Sequence, residues 1–193
     1  SLTTIGEGAL DGLTGLKKLV IQCDPAIIPA GVFANLPALS DVTVEFGAIP
    51  AHMFEGSGVT VLTLGAGVTE IGDSAFANTA LTSAEMQNVT AIGAGAFANT
   101  ALTSAEIQNV TAIGAGAFEG SALERVQLNA AASVGERAFA NTKLTKMVIP
   151  TAGSFPLSAV EGTSAELRLP ADATDEQLAA WNETLQRPWY DPT

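Results

Sequence analysis

Apolar residues recur along this chain in a fixed frame. Phenylalanine stands at positions 33, 54, 76, 97, 118 and 139, at spacings of 21, 22, 21, 21 and 21, and Leu10 and Val160 fill the slot before and after. Five or six residues beyond each comes L-x-x-h-x-h, with h apolar, as in Leu81-Ala84-Met86, Leu102-Ala105-Ile107, Leu123-Val126-Leu128 and Leu144-Met147-Ile149. The closing h-x-h has a period of two, which sets two side chains inward and one outward on a short strand. A second apolar slot follows at Ile5, Ile28, Ile49, Ile71, Ile92, Ile113, Val134 and Phe155. The next residue is Gly6, Pro29, Pro50, Gly72, Gly93, Gly114, Gly135 or Pro156. Proline fixes its φ at about −65° and has no N–H. A position that takes both residues therefore requires neither a positive φ nor a donor, and the glycines are expected to serve close approach between coils. Proline also drives the residue before it into extended geometry, so the second slot predicts a second short extended segment.

The frame is an internal repeat. Residues 69–89 and 90–110 are identical at 17 of 21 positions, differing only at Glu70/Ala91, Asp73/Ala94, Ser74/Gly95 and Met86/Ile107. A period of this length signals a solenoid, in which each unit buries its apolar face only against its neighbours. The expected fold is an α/β solenoid of about eight coils of 21–23 residues, with a parallel sheet on one face and short helical turns opposite. Two residues past each Phe slot stand Gly12, Asn35, Gly56, Asn78, Asn99, Gly120, Asn141 and Gly162. Only Asn and Gly occur there, the residues that best tolerate left-handed backbone. Positive φ is predicted at most of Asn35, Asn78, Asn99 and Asn141 and at their Gly equivalents alike, each closing one helical turn written G-x-x-A-F.

The repeat predicts a solenoid over 1–170 and a C-terminal cap over 171–193, integral to the same domain. Thr174-Asp175-Glu176-Gln177 fits a capping box, and Leu178, Trp181 and Leu185 follow at helical spacing, which predicts a sealing helix over about 175–186 with Pro188, Trp189 and Tyr190 packed nearby. At the other end Leu2, Ile5 and Leu10 enter mid-coil with no cap, so upstream residues or another domain are expected before Ser1.

Composition narrows the function. Eight Lys+Arg against twenty Asp+Glu give a net charge of −12, which leaves phosphate-backbone binding no electrostatic footprint. No apolar run reaches the ~18 residues of a membrane span. Cys23 is the single cysteine, so no internal disulfide can form, and it reads as a bystander thiol. His52 falls in the turn segment and Cys23 just past the first strand, which argues against a Cys–His dyad. The glycines follow the repeat period and make no phosphate loop. No metal-ligand spacing occurs, and neither a cofactor nor an enzymatic activity is expected. Asn88, Asn109 and Asn182 each open a glycosylation triplet, two of them as copies within the repeat.

The outward face of the sheet remains. Its central row reads Val20, Thr43, Thr63, Glu85, Glu106, Gln127, Val148, Arg168, flanked by Lys18, Asp41, Val61, Ser83, Ser104, Arg125, Lys146, Glu166. Adjacent strands lie about 4.8 Å apart, so Glu85 and Glu106 are like charges side by side, at some cost in stability. They are either a product of duplication, screened by solvent and Arg125, or an acidic contact patch for a basic partner. The candidate contact residues are Thr63, Glu85, Gln87, Glu106, Gln108, Arg125 and Gln127. No aromatic stands on the strip, which disfavours sugar stacking there. Trp181 and Trp189, with Tyr190, are the alternative place for it.

The unit Ile113-Gly114…Ala117-Phe118…Leu123…Val126-Gln127-Leu128 resembles the BspA-like leucine-rich repeats of bacterial surface proteins. The ending LRLPADATDEQLAAW also resembles the terminal segment that closes such proteins. The chain departs in lacking the cysteine often found after the Phe. The resemblance implies a right-handed leucine-rich-repeat superhelix, secreted or surface-anchored, and in several members an adhesin. The expected function is a non-enzymatic extracellular protein-binding or adhesion module, acting as a monomer or associating through its uncapped N-terminal end. A structural spacer that displays another domain is the alternative, and a glycan-binding module the third.

Overall fold

The computed structural model describes residues 12–24, 27–129, 132–149, 155–168, 173–177, 179 and 189–190. Twelve strands run through them: β1 (Lys18–Ile21), β2 (Asp41–Ile49), β3 (Val61–Ile71), β4 (Ser83–Glu85), β5 (Ala91–Ile92), β6 (Ser104–Ile107), β7 (Ala112–Ile113), β8 (Arg125–Leu128), β9 (Ser133–Val134), β10 (Lys146–Val148), β11 (Glu166–Arg168) and β12 (Trp189–Tyr190). Every pairing is parallel and joins one coil to the next. The chain is a parallel-sheet solenoid.

Where one sheet along the h-x-h row was expected, there are two. The first has the order β1-β2-β3-β5-β7-β9 and the second β12-β11-β10-β8-β6-β4. β2 and β3 are long enough to run through both apolar slots. The first sheet therefore starts on the h-x-h row and continues along the second slot, whose predicted extended segments are β5, β7 and β9. The second sheet carries the h-x-h row of the later coils. Among the described residues, β4 has no hydrogen-bonded partner on the β3 side. The break falls in the 22-residue coil, where seven steps separate Leu64 from Ile71 against six between Met86 and Ile92. Against β2, β3 has two register shifts, between Leu64 and Gly67 and between Val68 and Glu70, and an ideal Cβ on Gly65 would fall 2.2 Å from the Glu45 carbonyl oxygen. Only glycine lets β3 pass that close to β2.

The core is one apolar cluster running from Ile21 to Leu167. Along its axis the six phenylalanine rings stack in a continuous column, with centroids 5.2–5.8 Å apart and planes within 6–15° of parallel. Beside them pack the inward residues of both strand rows, and Ala75, Ala96, Ala117 and Ala138 precede the rings at 0% exposure. Met53 fills the same position before Phe54, also at 0% exposure.

The segment bearing each Phe is a chain of hydrogen-bonded turns, where a helical turn was predicted. The predicted left-handed residues are present: φ is 56° at Asn35, 59° at Asn78, 56° at Asn99 and 57° at Asn141, and 66–81° at Gly12, Gly56, Gly120 and Gly162. A second left-handed residue, four positions earlier, was not foreseen. It is Gly31, His52, Ser74, Gly95, Gly116 or Arg137. Positive φ at both ends of five residues leaves three between them, fewer than the 3.6 of one α-helical turn. The N–H groups divide accordingly. Those of Ser74, Phe76 and Asn78 donate to the carbonyls of Ala94, Ala96 and Ala98 in the next coil, each at 2.8 Å. Those of Ala75 and Ala77 bond within the turn, at 3.2 and 3.1 Å. In the last such segment Leu157–Val160 is a 3-10 helix.

The glycines after the second slot act as expected. An ideal Cβ on Gly72, Gly93, Gly114 or Gly135 would fall 2.5–2.7 Å from backbone atoms of the preceding coil, and none of these residues has positive φ. At the C-terminus the capping box forms: Gln177 N–H donates to Thr174 Oγ1 at 3.3 Å, and Thr174 N–H to Gln177 Oε1 at 3.0 Å. Residues 175–177 and 179 are helical. The rest of the expected sealing helix, with Leu178, Trp181 and Leu185, lies outside the described residues, as do Leu2, Ile5 and Leu10. Trp189 and Tyr190 add an end strand, opposite Leu167 and Arg168 of β11.

Two substitutions test this packing. Phe97→Ala removes a ring stacked on both sides and should cost about 3–5 kcal/mol, read as a shift of the urea midpoint. Gly114→Ala forces a methyl group against Ala94 N and Gly93 C, which cannot yield, and should cost at least ~2 kcal/mol. Gly15→Ala, where a Cβ meets nothing within 4 Å, is the control and should leave the midpoint unchanged.

Candidate functional site

On the strands that form the later h-x-h row, burial alternates strictly. β4 is exposed-buried-exposed, and β6 continues the pattern for a fourth residue. Ala84, Ala105 and Met147 are buried and point inward. Their neighbours point out and align in the predicted rows. Ser83 lies opposite Ser104 and Glu85 opposite Glu106. Ser104 then lies opposite Arg125, and Glu106 opposite Gln127. Arg125 in turn faces Lys146 across β8 and β10.

This geometry brings most of the candidate residues together. Glu106, Gln108, Arg125 and Gln127 line one shallow depression of about 460 Å³, shared with Lys146 and Val148. Gln108 Nε2 donates to Gln127 Oε1 at 3.3 Å, which orders both carboxamides. Glu85 continues the row beyond β6, and Gln87 lies in the turn after β4, beside a hollow of about 70 Å³ that includes Leu64 and Gly65. Thr63 stands apart. It belongs to β3, in register with Thr43 in the other sheet, across the break. Lys146 and Val148 were absent from the candidates, although both stand in the outward rows. The signal was available: Lys146 occupies the flanking row directly after Arg125.

The charges on the face separate by sign. Glu85 and Glu106 are exposed and make no ion pair among the described residues, and the same holds for Arg125. Toward the C-terminus Lys146 Nζ approaches Glu166 Oε2 at 3.6 Å, and Arg168 is exposed. At the opposite end Lys18 Nζ donates to Asp41 Oδ2 at 3.0 Å. Such exposed pairs contribute about 0–1 kcal/mol. The exposed large hydrophobics among the described residues, Val20 at 47%, Val61 at 53% and Val148 at 55%, also stand on the outward rows.

The turn side holds a different charge arrangement. Arg137 donates from Nη2 to Glu119 Oε1 at 2.6 Å and from Nε to Glu119 Oε2 at 3.3 Å, and its Nη1 pairs with Glu161. Its partners therefore come from the coils before and after. Those carboxylates, Glu119 first, raise its pKa above the usual arginine value. His52 Nδ1 contacts Glu55 Oε2 at 2.6 Å within its own turn. Cys23 is half-buried against the core, just past β1. Asn109, one of the glycosylation-triplet residues, donates its Nδ2 to the Gln87 carbonyl at 2.5 Å, and Asn129 does the same to Gln108 at 2.9 Å. Asn109 thus has a structural employment as a coil-to-coil tie.

Sequence reasoning also missed a buried polar slot. Three residues past the Phe slot, Ser57, Thr79, Thr100, Ser121, Thr142 and Thr163 are all buried. Five of them donate their hydroxyl to the carbonyl three residues back, at 2.6–2.9 Å. Ser121 Oγ finds no partner. The period-21 recurrence of Ser or Thr was the signal. Thr100→Val should therefore cost about 1 kcal/mol by orphaning a buried carbonyl. Ser121→Thr, which adds the methyl its neighbours carry, should raise stability by about 0.8 kcal/mol. Thermal unfolding of the two variants checks both signs.

Six copies of the BspA type leucine rich repeat region match the chain across residues 47–161. No curated protein matches it. The match ends at the coil of Val160, the last to fill the Phe slot, and takes in five of the six stacked rings, Phe54 to Phe139, with the strands from β3 to β10. On the repeat, the stacked column and the parallel-sheet solenoid together, the chain belongs to the BspA type leucine-rich-repeat family.

Proposed function

We propose that this chain is a non-enzymatic protein-binding and adhesion module, displayed outside a bacterial cell, that meets its partner with the outward face of β4, β6, β8 and β10. Solenoids of this kind use their extended strand surfaces for interaction. The observation that carries the reading is the content of the outward rows. On these four strands they hold Val148, 55% exposed, charges without partners among the described residues, and a depression of about 460 Å³. The strip is flat and free of aromatic residues, so its affinity comes from many hydrogen bonds and from charge complementarity. Family membership supports the interaction role and the surface location.

The test is a screen of extracellular proteins against the immobilised chain, followed by titration of whatever is retained. Glu85→Lys with Glu106→Lys should weaken capture at least about tenfold, since placing like charges in register at an interface costs several kcal/mol. Binding by the parent chain should also weaken as salt rises. Both glutamates point to solvent, so the far-ultraviolet spectrum should stay the same. Unchanged capture by the double variant would move the site off this face. Failure of the parent chain to bind any partner would favour the spacer.

A further inference from the structure

The strand face has a symmetry of charge that the binding reading alone does not use. Four consecutive strands of the second sheet carry, in order, Glu85 on β4, Glu106 on β6, Arg125 on β8 and Lys146 on β10. Two like charges stand side by side, followed by two of the opposite sign. Within one molecule each half is unfavourable, because like charges directly opposite on neighbouring strands repel. Relief from inside the molecule is slight. Glu85, Glu106 and Arg125 make no ion pair among the described residues, and Lys146 reaches only Glu166, at 3.6 Å.

A two-fold axis lying along the strands, midway between β6 and β8, changes this. It turns the face onto itself with strand direction kept and coil order reversed. β6 of one copy then lies over β8 of the other, and β4 over β10. The acidic half of each copy meets the basic half of its mate, twice over. The glutamates sit two residues further along their strands than Arg125 and Lys146, an offset of about 6.6 Å that long side chains span diagonally. Val148, 55% exposed on β10, would be covered by β4 of the mate. This is the self-complementarity that an isologous interface requires.

We infer that the strand face is a homotypic docking surface, and that its occupant is a second copy of this chain in the reversed orientation. The inference rests on the reading of this face as the interaction surface and specifies the partner. The −12 net charge works against it at long range. Copies of so acidic a chain repel at long range, so association needs a local face on which both signs are presented, and this one presents them in equal number.

Sedimentation velocity of the intact chain over a range of concentrations tests it. The parent chain should self-associate as its concentration is raised. Glu85→Lys/Glu106→Lys makes the face wholly basic, and Arg125→Glu/Lys146→Glu makes it wholly acidic. Each double variant alone should sediment as a monomer, and an equimolar mixture of the two should restore the dimer. If either variant fails to fold by circular dichroism, Glu85→Gln/Glu106→Gln and Arg125→Gln/Lys146→Gln replace the pair, and each should weaken self-association about tenfold. A parent chain that stays monomeric throughout overturns the homotypic inference. If that monomer still captures another protein through Glu85 and Glu106, the wider binding reading stands. A parent dimer unaffected by either variant overturns the inference too, placing the contact on another surface.

Discussion

The column of phenylalanines sets the terms for everything else. Six rings stacked at 5.2–5.8 Å, all buried, require each coil to bring its Phe back to the same azimuth one coil further along. Stacking adds about 0.5–1.5 kcal/mol per pair beyond the area buried, and it accumulates because every inner ring serves two neighbours. A coil that drifted would lose both contacts. The near-invariant period of 21 residues is the chain's answer, and the one 22-residue coil between Phe54 and Phe76 takes up its extra residue between Leu64 and Ile71, where β3 shifts register against β2.

Tight stacking leaves little room between backbones, and much of the remaining sequence follows from that. The residue before each ring from Phe54 to Phe139 is fully buried, Met53 in the first case and alanine in the rest. Glycine follows the second apolar slot because a Cβ would land on the previous coil's backbone, 2.5–2.7 Å away. The Asn and Gly caps interlock for the same reason. A Cβ on Gly56, Gly120 or Gly162 would fall 2.2–2.6 Å from the Oδ1 of Asn35, Asn99 or Asn141 in the coil before. Where two asparagines are consecutive, Asn99 Nδ2 instead donates to Asn78 Oδ1 at 3.1 Å. Backbone polar groups that this spacing buries are met by the next coil, by the Thr and Ser hydroxyls, and by Asn109 and Asn129.

Function begins where these constraints end. The outward positions of β4, β6, β8 and β10 carry no packing duty, and they hold the partner-less charges and the exposed Val148. The turn side is also charged, but its largest cluster, Glu119-Arg137-Glu161, is satisfied internally and ties three coils together. One surface is closed on itself and the other is open. That contrast is why the strand face is the surface assigned to binding.

The sequence by itself determined the solenoid, the phases of both apolar slots, the left-handed caps and the outward rows. Each of these is a local rule repeated with the period, and repetition turns a weak local signal into a strong one. The candidate residues were legible on the same ground, since h-x-h alternation alone puts Glu85, Glu106, Arg125 and Gln127 on one side. Tertiary structure alone decided three things. The Phe-bearing segment is a string of turns because a second positive φ, at residues as unlike as Gly95, Ser74, His52 and Arg137, is imposed by hydrogen bonds to the next coil, and side-chain type does not announce it. The strands divide into two sheets, leaving Thr63 across a break from Glu85, because one added residue shifts which backbone groups meet. Likewise Arg137 joins Glu119 to Glu161, and Lys146 and Val148 join the depression on β8. These are contacts between coils, and a residue's neighbour in the next coil is fixed only when the rings have stacked.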